Sequence, residues 1–171
     1  YGFTIEDIKT SLETFIPSAA QTPGRMNIFD FREYKVMIDF AHNADGFRGI
    51  KEFLSTIDSP YKIGIITGTG DRRDEDIRDM GRISSEMFDH IIIRQDKFLR
   101  GREADDIVRL LVEGIKEKNS NQSYEYIPKE VEALKHALSI AKPGTFITAL
   151  SDVIDNAIDV VQSYLDKERD N

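Results

Sequence analysis

Segments of strand length alternate with segments of helical periodicity along most of this sequence. Apolar runs typical of strands are found at 26–31, 34–40, 61–67, 89–94, 124–127 and 145–150. Helical spacing of apolar residues is found at 4–15, 47–57, 74–88, 104–118, 128–141 and 153–167. From Tyr34 onward the alternation is regular, and it predicts an α/β fold. We expect a Rossmann-like, three-layer domain with a mostly parallel sheet and helices on both faces.

Size and composition narrow the class of protein further. A length of 171 residues suits one domain, which we assign to residues 1–171. No apolar run approaches the ~18 residues of a membrane span. A net charge of −8 argues against nucleic-acid binding. The absence of cysteine excludes disulfides and thiolate sites and is typical of a cytoplasmic protein, and no spacing of histidines and carboxylates indicates a metal site.

The two ends of the sequence lead to separate expectations. The sequence begins at Tyr1 rather than at a methionine, so we expect a fragment of a longer, multidomain protein. Residues 166–171 are mostly charged and are predicted to fray. Whether the chain forms a homo-oligomer stays open.

Polar side chains follow the second predicted strand. Asp39, His42 and Asn43 lie within five residues of one another, and open parallel sheets bind ligands beyond the carboxyl ends of their strands. A carboxylate can accept hydrogen bonds from ribose, and an imidazole can stack on a base or donate to a phosphate. Alternatively, these residues cap the helix that follows.

A glycine-containing loop follows the third predicted strand. It reads Gly-Thr-Gly-Asp-Arg-Arg-Asp at 68–74, and glycines before a helix allow an anionic ligand to approach the backbone. The Gly-Lys-Ser/Thr of a Walker loop is absent from the sequence. Alternatively, the loop is a tight turn in which Asp74 caps the next helix and Arg72 and Arg73 are solvated.

Three arginines follow the isoleucine-rich strand, namely Arg94, Arg100 and Arg102. Guanidinium groups bind carboxylates and phosphates in a two-pronged manner. Alternatively, they form an exposed basic loop that pairs with neighbouring acids such as Asp96 and Glu103.

Taken in order, these loops resemble the C-terminal domain of the Mur ligase superfamily. The motifs are Pro-Gly-Arg-Met-Asn at 23–27, Asp-Phe-Ala-His-Asn at 39–43 and the glycine-containing loop at 68–74. The segment Ile-Ile-Ile-Arg-Gln-Asp-Lys-Phe-Leu-Arg-Gly-Arg at 91–102 is more similar to the cyanophycin synthetase family than to peptidoglycan ligases. The same holds for 73–77 and for the turn at 141–144, so the resemblance covers essentially the whole chain.

The resemblance implies an ATP-dependent amide-bond ligase. ATP phosphorylates a substrate carboxylate, and an amine attacks the acyl phosphate, so that amino acids (Asp and Arg) join a growing polymer. This domain closes over ATP and helps to seat the incoming amino acid. An N-terminal ATP-grasp domain and a central P-loop domain of the same chain are the implied partners, and they hold most of the Mg²⁺. We therefore expect no ligase turnover from this chain alone.

The resemblance also assigns residues around the nucleotide. Arg25 matches the arginine that reaches an ATP phosphate, and Asp39 matches the acid that holds the ribose. His42 and Asn43 match the pair that lines the nucleotide site. One departure is Ala44, which stands where many relatives have proline.

The remaining assignments concern catalysis and the substrate. Asp71 and Arg72 are implied to face the reaction centre. The substrate-binding candidates, for the incoming amino acid or the polymer carboxylates, are Arg94, Arg100 and Arg102. Leu-Ser-Asp at 150–152 replaces a loop that is typical of some peptidoglycan ligases. The alternatives are a peptidoglycan or folylpolyglutamate ligase domain, a stand-alone nucleotide- or anion-binding module, and an interaction domain without a ligand.

Overall fold

A computed structural model describes residues 2–14 and 18–170 of the chain. Within them, the strands are β1 (Asn27–Asp30), β2 (Lys35–Asp39), β3 (Tyr61–Ile66), β4 (His90–Ile93), β5 (Ser123–Tyr126) and β6 (Thr145–Leu150). The helices are α1 (Ile5–Glu13), α2 (Ala44–Ser55), α3 (Asp74–Met87), α4 (Ala104–Lys118), α5 (Glu130–Ile140) and α6 (Ile154–Arg169). The element types that the sequence predicts are therefore confirmed.

The strands form one sheet in the order β1-β2-β6-β3-β4-β5. Only the pair of β1 and β2 is antiparallel, and the other four pairs are parallel. All six residues of β6 are buried, as expected for a central parallel strand that is covered on both faces. This order brings the carboxyl ends of β2, β6, β3 and β4 to one edge of the sheet, where the three predicted loops begin.

The helices cover both faces of the sheet, which confirms the three-layer prediction. One core includes Phe47 of α2, Met80 of α3 and Leu111 of α4. The other core includes Ala137 of α5 and Val161 of α6. Full burial of a large apolar side chain contributes about 1.5–3 kcal/mol, so these two cores hold the layers together.

Two glycines allow α3 and α4 to pack closely. A Cβ atom on Gly114 would lie 1.9 Å from the carbonyl oxygen of Arg78, and one on Gly81 would lie 2.3 Å from that of Leu111. The backbones of α3 and α4 are therefore in direct contact at these two points.

Several helix boundaries differ from the sequence prediction by one to three residues. Helix α2 begins at Ala44, three residues early, because the Asn43 side chain caps it. Helix α5 begins at Glu130, after the extended N-cap residue Lys129. Helix α6 continues to Arg169, so the predicted fraying of 166–169 is wrong. Basic residues in its last turn favour the helix C-terminus, and Asn171 lies outside the described residues.

A capping pair stabilises the start of α1. Asp7 N–H donates to the Thr4 hydroxyl, and Thr4 N–H donates to the Asp7 carboxylate at 2.8 Å. None of the residues of α1 is buried, and Ile5 and Leu12 are 82% and 69% exposed. Phe15, the predicted end of this helix, and Pro17, the predicted start of the next loop, lie outside the described residues. Among the helices described, not one combines the length and apolar character that a transmembrane segment requires.

Candidate functional site

Asp39 ends β2 and is almost fully buried, with 8% of its surface exposed. One carboxylate oxygen accepts the N–H of Met26 at 2.8 Å, and the other accepts the N–H of Ala41 at 2.8 Å. The carbonyl oxygen of Asp39 accepts the N–H of Ser151 at 2.9 Å. Asp39 therefore ties together three segments: the turn before β1, the loop after β2 and the loop after β6.

A cleft of about 430 Å³ opens beside Asp39. The Arg25 guanidinium lies 5.5 Å from the ring centroid of Phe40, and the Phe40 and His42 rings are 4.9 Å apart. His42 Nδ1 lies 3.0 Å from the carbonyl oxygen of Phe40, so Nδ1 carries the proton and donates. The structure thus brings together all four predicted nucleotide-binding residues, which line this cleft: Arg25, Asp39, His42 and Asn43.

Asn43 is the N-cap of α2. Its side-chain oxygen accepts the N–H of Gly46 at 2.7 Å, so the capping alternative holds for this residue. Capping does not close the site, because the first N–H groups of a helix and its dipole still favour an anion.

A second cleft, of about 420 Å³, lies between the starts of α2 and α3. Asn43 lines both clefts, and Arg48, Arg72 and Arg73 line the second one. The Arg72 backbone N–H donates to the Thr69 carbonyl at 3.2 Å, but Arg72 Nε has no hydrogen-bond partner among the described residues. Buried donors without a partner are rare in native proteins, so Arg72 stands out within this loop.

The carboxylate of Asp71 forms an ion pair with Arg100, and this pair is partly exposed. The hydrogen bond from Arg100 is the main factor that holds the pKa of Asp71 below its ordinary value. Asp71 is therefore ionised at neutral pH. The capping role considered for Asp74 is wrong, because Arg73 is the N-cap of α3 and Asp74 is the first helical residue.

Arg94 is buried, with 2% of its surface exposed. Its Nη2 lies 2.6 Å from a carboxylate oxygen of Asp152 and donates to the Leu150 carbonyl at 3.0 Å. Its Nε lies 3.7 Å from the carboxylate of Glu130. The alternative of an exposed loop is therefore wrong for Arg94, because acids from neighbouring elements surround its guanidinium.

Sequence reasoning missed the acidic cluster around Arg94, which we define as Asp96, Glu130 and Asp152. Burial raises the pKa of both Asp96 and Glu130, with the nearby Arg94 acting in the opposite direction. The Ser151 hydroxyl donates to Glu130. One signal was available in the sequence: each acid follows a different strand by only a few residues, so all three reach the same edge of the sheet.

Glu125, on the edge strand β5, contacts two histidines, one at the start of β4 and one on α5. His90 Nε2 lies 2.9 Å and His136 Nε2 lies 2.8 Å from the same carboxylate oxygen. Both contacts link β5 to its neighbours β4 and α5, which agrees with a structural role. In the part of the chain that the structure describes, no three His, Asp or Glu side chains are grouped as a metal site requires.

Comparison with known proteins identifies the family. The family described as "Mur ligase, glutamate ligase domain" matches residues 24–152. The cyanophycin synthetase of Geminocystis herdmanii is 38% identical over 96% of this chain. A UDP-N-acetylmuramoyl-L-alanyl-D-glutamate–2,6-diaminopimelate ligase of Caldanaerobacter subterraneus is 35% identical over 68% of the chain. The greater similarity to the cyanophycin synthetases confirms what the segment at 91–102 indicates.

Solved structures show the same fold at lower identity. A UDP-N-acetylmuramoyl-L-alanyl-D-glutamate–2,6-diaminopimelate ligase superposes with a TM-score of 0.73 at 20% identity, over 98% of this chain and 36% of that one. The structure of E. coli FolC in complex with DHPP and ADP superposes with a TM-score of 0.67 at 17% identity. This match covers 99% of this chain and 36% of that one. The chain spans 19% of the Geminocystis cyanophycin synthetase and 23% of the Caldanaerobacter ligase. Because the family model matches residues 24–152, which include most of the sheet and the loops at its carboxyl edge, the chain belongs to the Mur ligase, glutamate ligase domain family.

Proposed function

We propose that this chain is the part of an ATP-dependent amide ligase that closes over ATP and helps to seat the incoming amine. The observation that carries the proposal is the pair of clefts that meet at Asn43 at the carboxyl edge of the sheet. The similarity to cyanophycin synthetases over 96% of the chain favours their reaction, in which Asp and Arg extend a polymer. ATP supplies the phosphoryl group that activates the carboxylate.

The residues of the first cleft fit a nucleotide. Arg25 provides a positive charge for a phosphate, and the start of α2 adds unpaired N–H groups of the same polarity. Each oxygen of Asp39 accepts one backbone bond and keeps a lone pair for a ribose hydroxyl. With Nδ1 of His42 directed at the Phe40 carbonyl, Nε2 is the ring nitrogen that remains for a ligand.

The residues of the second cleft fit the reacting groups. The guanidinium-bearing side chain of Arg72 lines this cleft and can bind an oxyanion, and charge-assisted bonds of this kind are about twice as strong as neutral ones. Asp71, in the same loop as Arg72, stays ionised, so its carboxylate can attract the ammonium group of the incoming amino acid. Closure of other domains over this face would exclude water from a reactive acyl phosphate.

The arginines that follow β4 have different proposed roles. Arg100 is 46% exposed in its side chain and remains the candidate for a substrate carboxylate. Arg94 is enclosed by the acidic cluster, so its proposed role is structural: it holds the ends of β4 and β6 together. The longer protein would supply a P-loop domain, an ATP-grasp domain and most Mg²⁺ ligands, and we propose a cytoplasmic location.

The test is the rate of ADP release by the full-length protein that carries this chain, with a polymer primer, Asp and Arg. We expect each amino acid to stimulate ADP release, and Arg25→Ala to raise the KM for ATP. Arg109→Ala is the matched control, because Arg109 pairs with Asp106 and Glu113 on α4 itself. A full-length protein without a P-loop, or one that no amino acid stimulates, would refute the proposal.

A further inference from the structure

Arg102 contacts the loop that carries Asp71 and Arg72 through all three of its nitrogens. Nε donates to the Gly70 carbonyl at 3.3 Å, and Nη2 donates to the Arg72 carbonyl at 3.1 Å. Nη1 donates to the carboxylate of Asp74 at 2.6 Å. One guanidinium therefore holds the loop backbone at two points and the first residue of α3 at a third.

The chain is shaped to bring this side chain into place. Arg100 and Gly101 adopt φ angles of 49° and 84°, which are left-handed conformations. For Arg100 such a conformation is unfavourable and persists only where the surroundings enforce it. The turn closes with a bond of 3.0 Å from the Arg102 N–H to the Leu99 carbonyl.

The two loops also touch through their backbones. A Cβ atom on Gly70 would lie 1.9 Å from the carbonyl oxygen of Leu99, so only glycine allows this approach. With its backbone fixed, Arg72 keeps a buried, unpaired Nε, and its side chain lines the second cleft. Holding the backbone while leaving the side chain unpaired is the arrangement that a preorganised ligand-binding residue needs.

We propose that Arg102 is a positioning residue of the ligase reaction: it fixes the loop at 70–74 so that Arg72 faces the reacting oxyanion. The inference rests on the proposed function and replaces direct substrate binding as the role of Arg102. Each of its three guanidinium nitrogens makes a contact inside the domain, and its side chain is only 23% exposed. The geometry matches a planar fork, which lysine cannot reproduce.

The kinetic test compares Arg102→Ala, Arg102→Lys and Arg109→Ala in the full-length protein. We expect kcat to fall about 100-fold in both Arg102 variants, because small displacements of a positioned group have effects of this size. The KM for ATP should stay unchanged, since the nucleotide contacts lie in the first cleft. Added guanidinium ion should restore part of the kcat of Arg102→Ala, and sodium chloride at the same ionic strength should not.

Two results for the Arg102→Ala variant would overturn the inference. One is a kcat for Arg102→Ala equal to that of Arg109→Ala. The other is a joint loss of kcat, ATP affinity and melting temperature without guanidinium rescue, which would indicate a merely structural role.

A wild-type protein that does not use ATP would refute the proposed function but leave the loop contact testable. Amide hydrogen exchange on the full-length protein then decides. Faster exchange at residues 70–73 in Arg102→Ala but not in Arg109→Ala supports the positioning role, and equal exchange in both variants refutes it.

Discussion

The carboxylate of Asp39 accepts the backbone N–H of Met26 at 2.8 Å, across 13 residues of chain. Met26 has a φ of 47°, a conformation that residues other than glycine rarely adopt. The bond therefore stabilises a strained turn, and because Arg25 precedes Met26, it also fixes where Arg25 enters the first cleft. Asp39 supports the site even before it contacts a ligand.

Removal of this carboxylate should destabilise the chain. In Asp39→Ala the N–H groups of Met26 and Ala41 lose their acceptor, and each such loss costs about 1–3 kcal/mol. We expect the free energy of unfolding in urea to fall by about 2 kcal/mol or more. Asp45→Ala, which removes a 94% exposed carboxylate, is the control and should stay near wild type. An unchanged urea midpoint in Asp39→Ala would rule out the supporting role.

The element types of the fold could be predicted from the sequence, because the apolar spacing reports which face of each segment is buried. The position of β6 between β2 and β3 could not, since no local pattern encodes which strands become neighbours. The loops at 39–43 and 68–74 could be predicted as candidate sites from their place after strands. The partners of Arg94 and Arg102 were not, because they lie on other elements, so guanidinium groups that look exposed in the sequence proved to be enclosed.

A methyl group at Gly70 should disturb the second cleft. In Gly70→Ala the new Cβ would clash with the Leu99 carbonyl, so the two loops must separate. We expect a lower melting temperature and faster amide exchange at residues 70–73. Gly49→Ala is the matched control, since nothing lies within 4 Å of its Cβ and the change favours a helix by about 0.5–1 kcal/mol. A Gly70→Ala variant as stable as Gly49→Ala would contradict the close approach.

The buried Glu130 should make stability depend on pH. Burial is the largest effect on its pKa and raises it, so the folded chain binds this proton more tightly than the unfolded chain does. Its contribution to stability is fully present below its unfolded pKa, near 4.5, and is lost as pH rises through the higher folded value. Arg94, Ser151, Asp152 and Asp96 face this carboxyl group.

Glu130→Gln, which imitates the protonated form, should remove this part of the dependence. We expect the urea midpoints of variant and wild type to be closest near pH 4. As the pH rises to 7.5, the midpoint of the variant should increase relative to that of wild type. Glu132→Gln is the control, because Glu132 is an exposed neighbour on α5 that pairs with Lys129. A constant difference between Glu130→Gln and wild type across this range would contradict the assigned direction of the pKa.

Arg72 should be needed for chemistry more than its neighbour Arg73. Arg72 keeps an unpaired Nε, whereas Arg73 is 84% exposed and pairs with Asp76 at 2.8 Å. In the full-length protein, Arg72→Ala should lower kcat by about 100-fold, as expected for the loss of a transition-state donor, and Arg73→Ala should have little effect. Equal kinetics of the two variants would remove Arg72 from the reaction.

The central claim is that the clefts of this chain serve a reaction through an acyl phosphate, and an oxygen-18 transfer experiment tests it most directly. The full-length protein is given ATP, an amine and a substrate whose carboxylate carries oxygen-18, and the released phosphate is analysed by mass. We predict one labelled oxygen in phosphate for each amide formed, with the rate of labelling sharply reduced in Arg72→Ala but not in Arg73→Ala. Amide formation with unlabelled phosphate, or with release of AMP and pyrophosphate, would contradict the account.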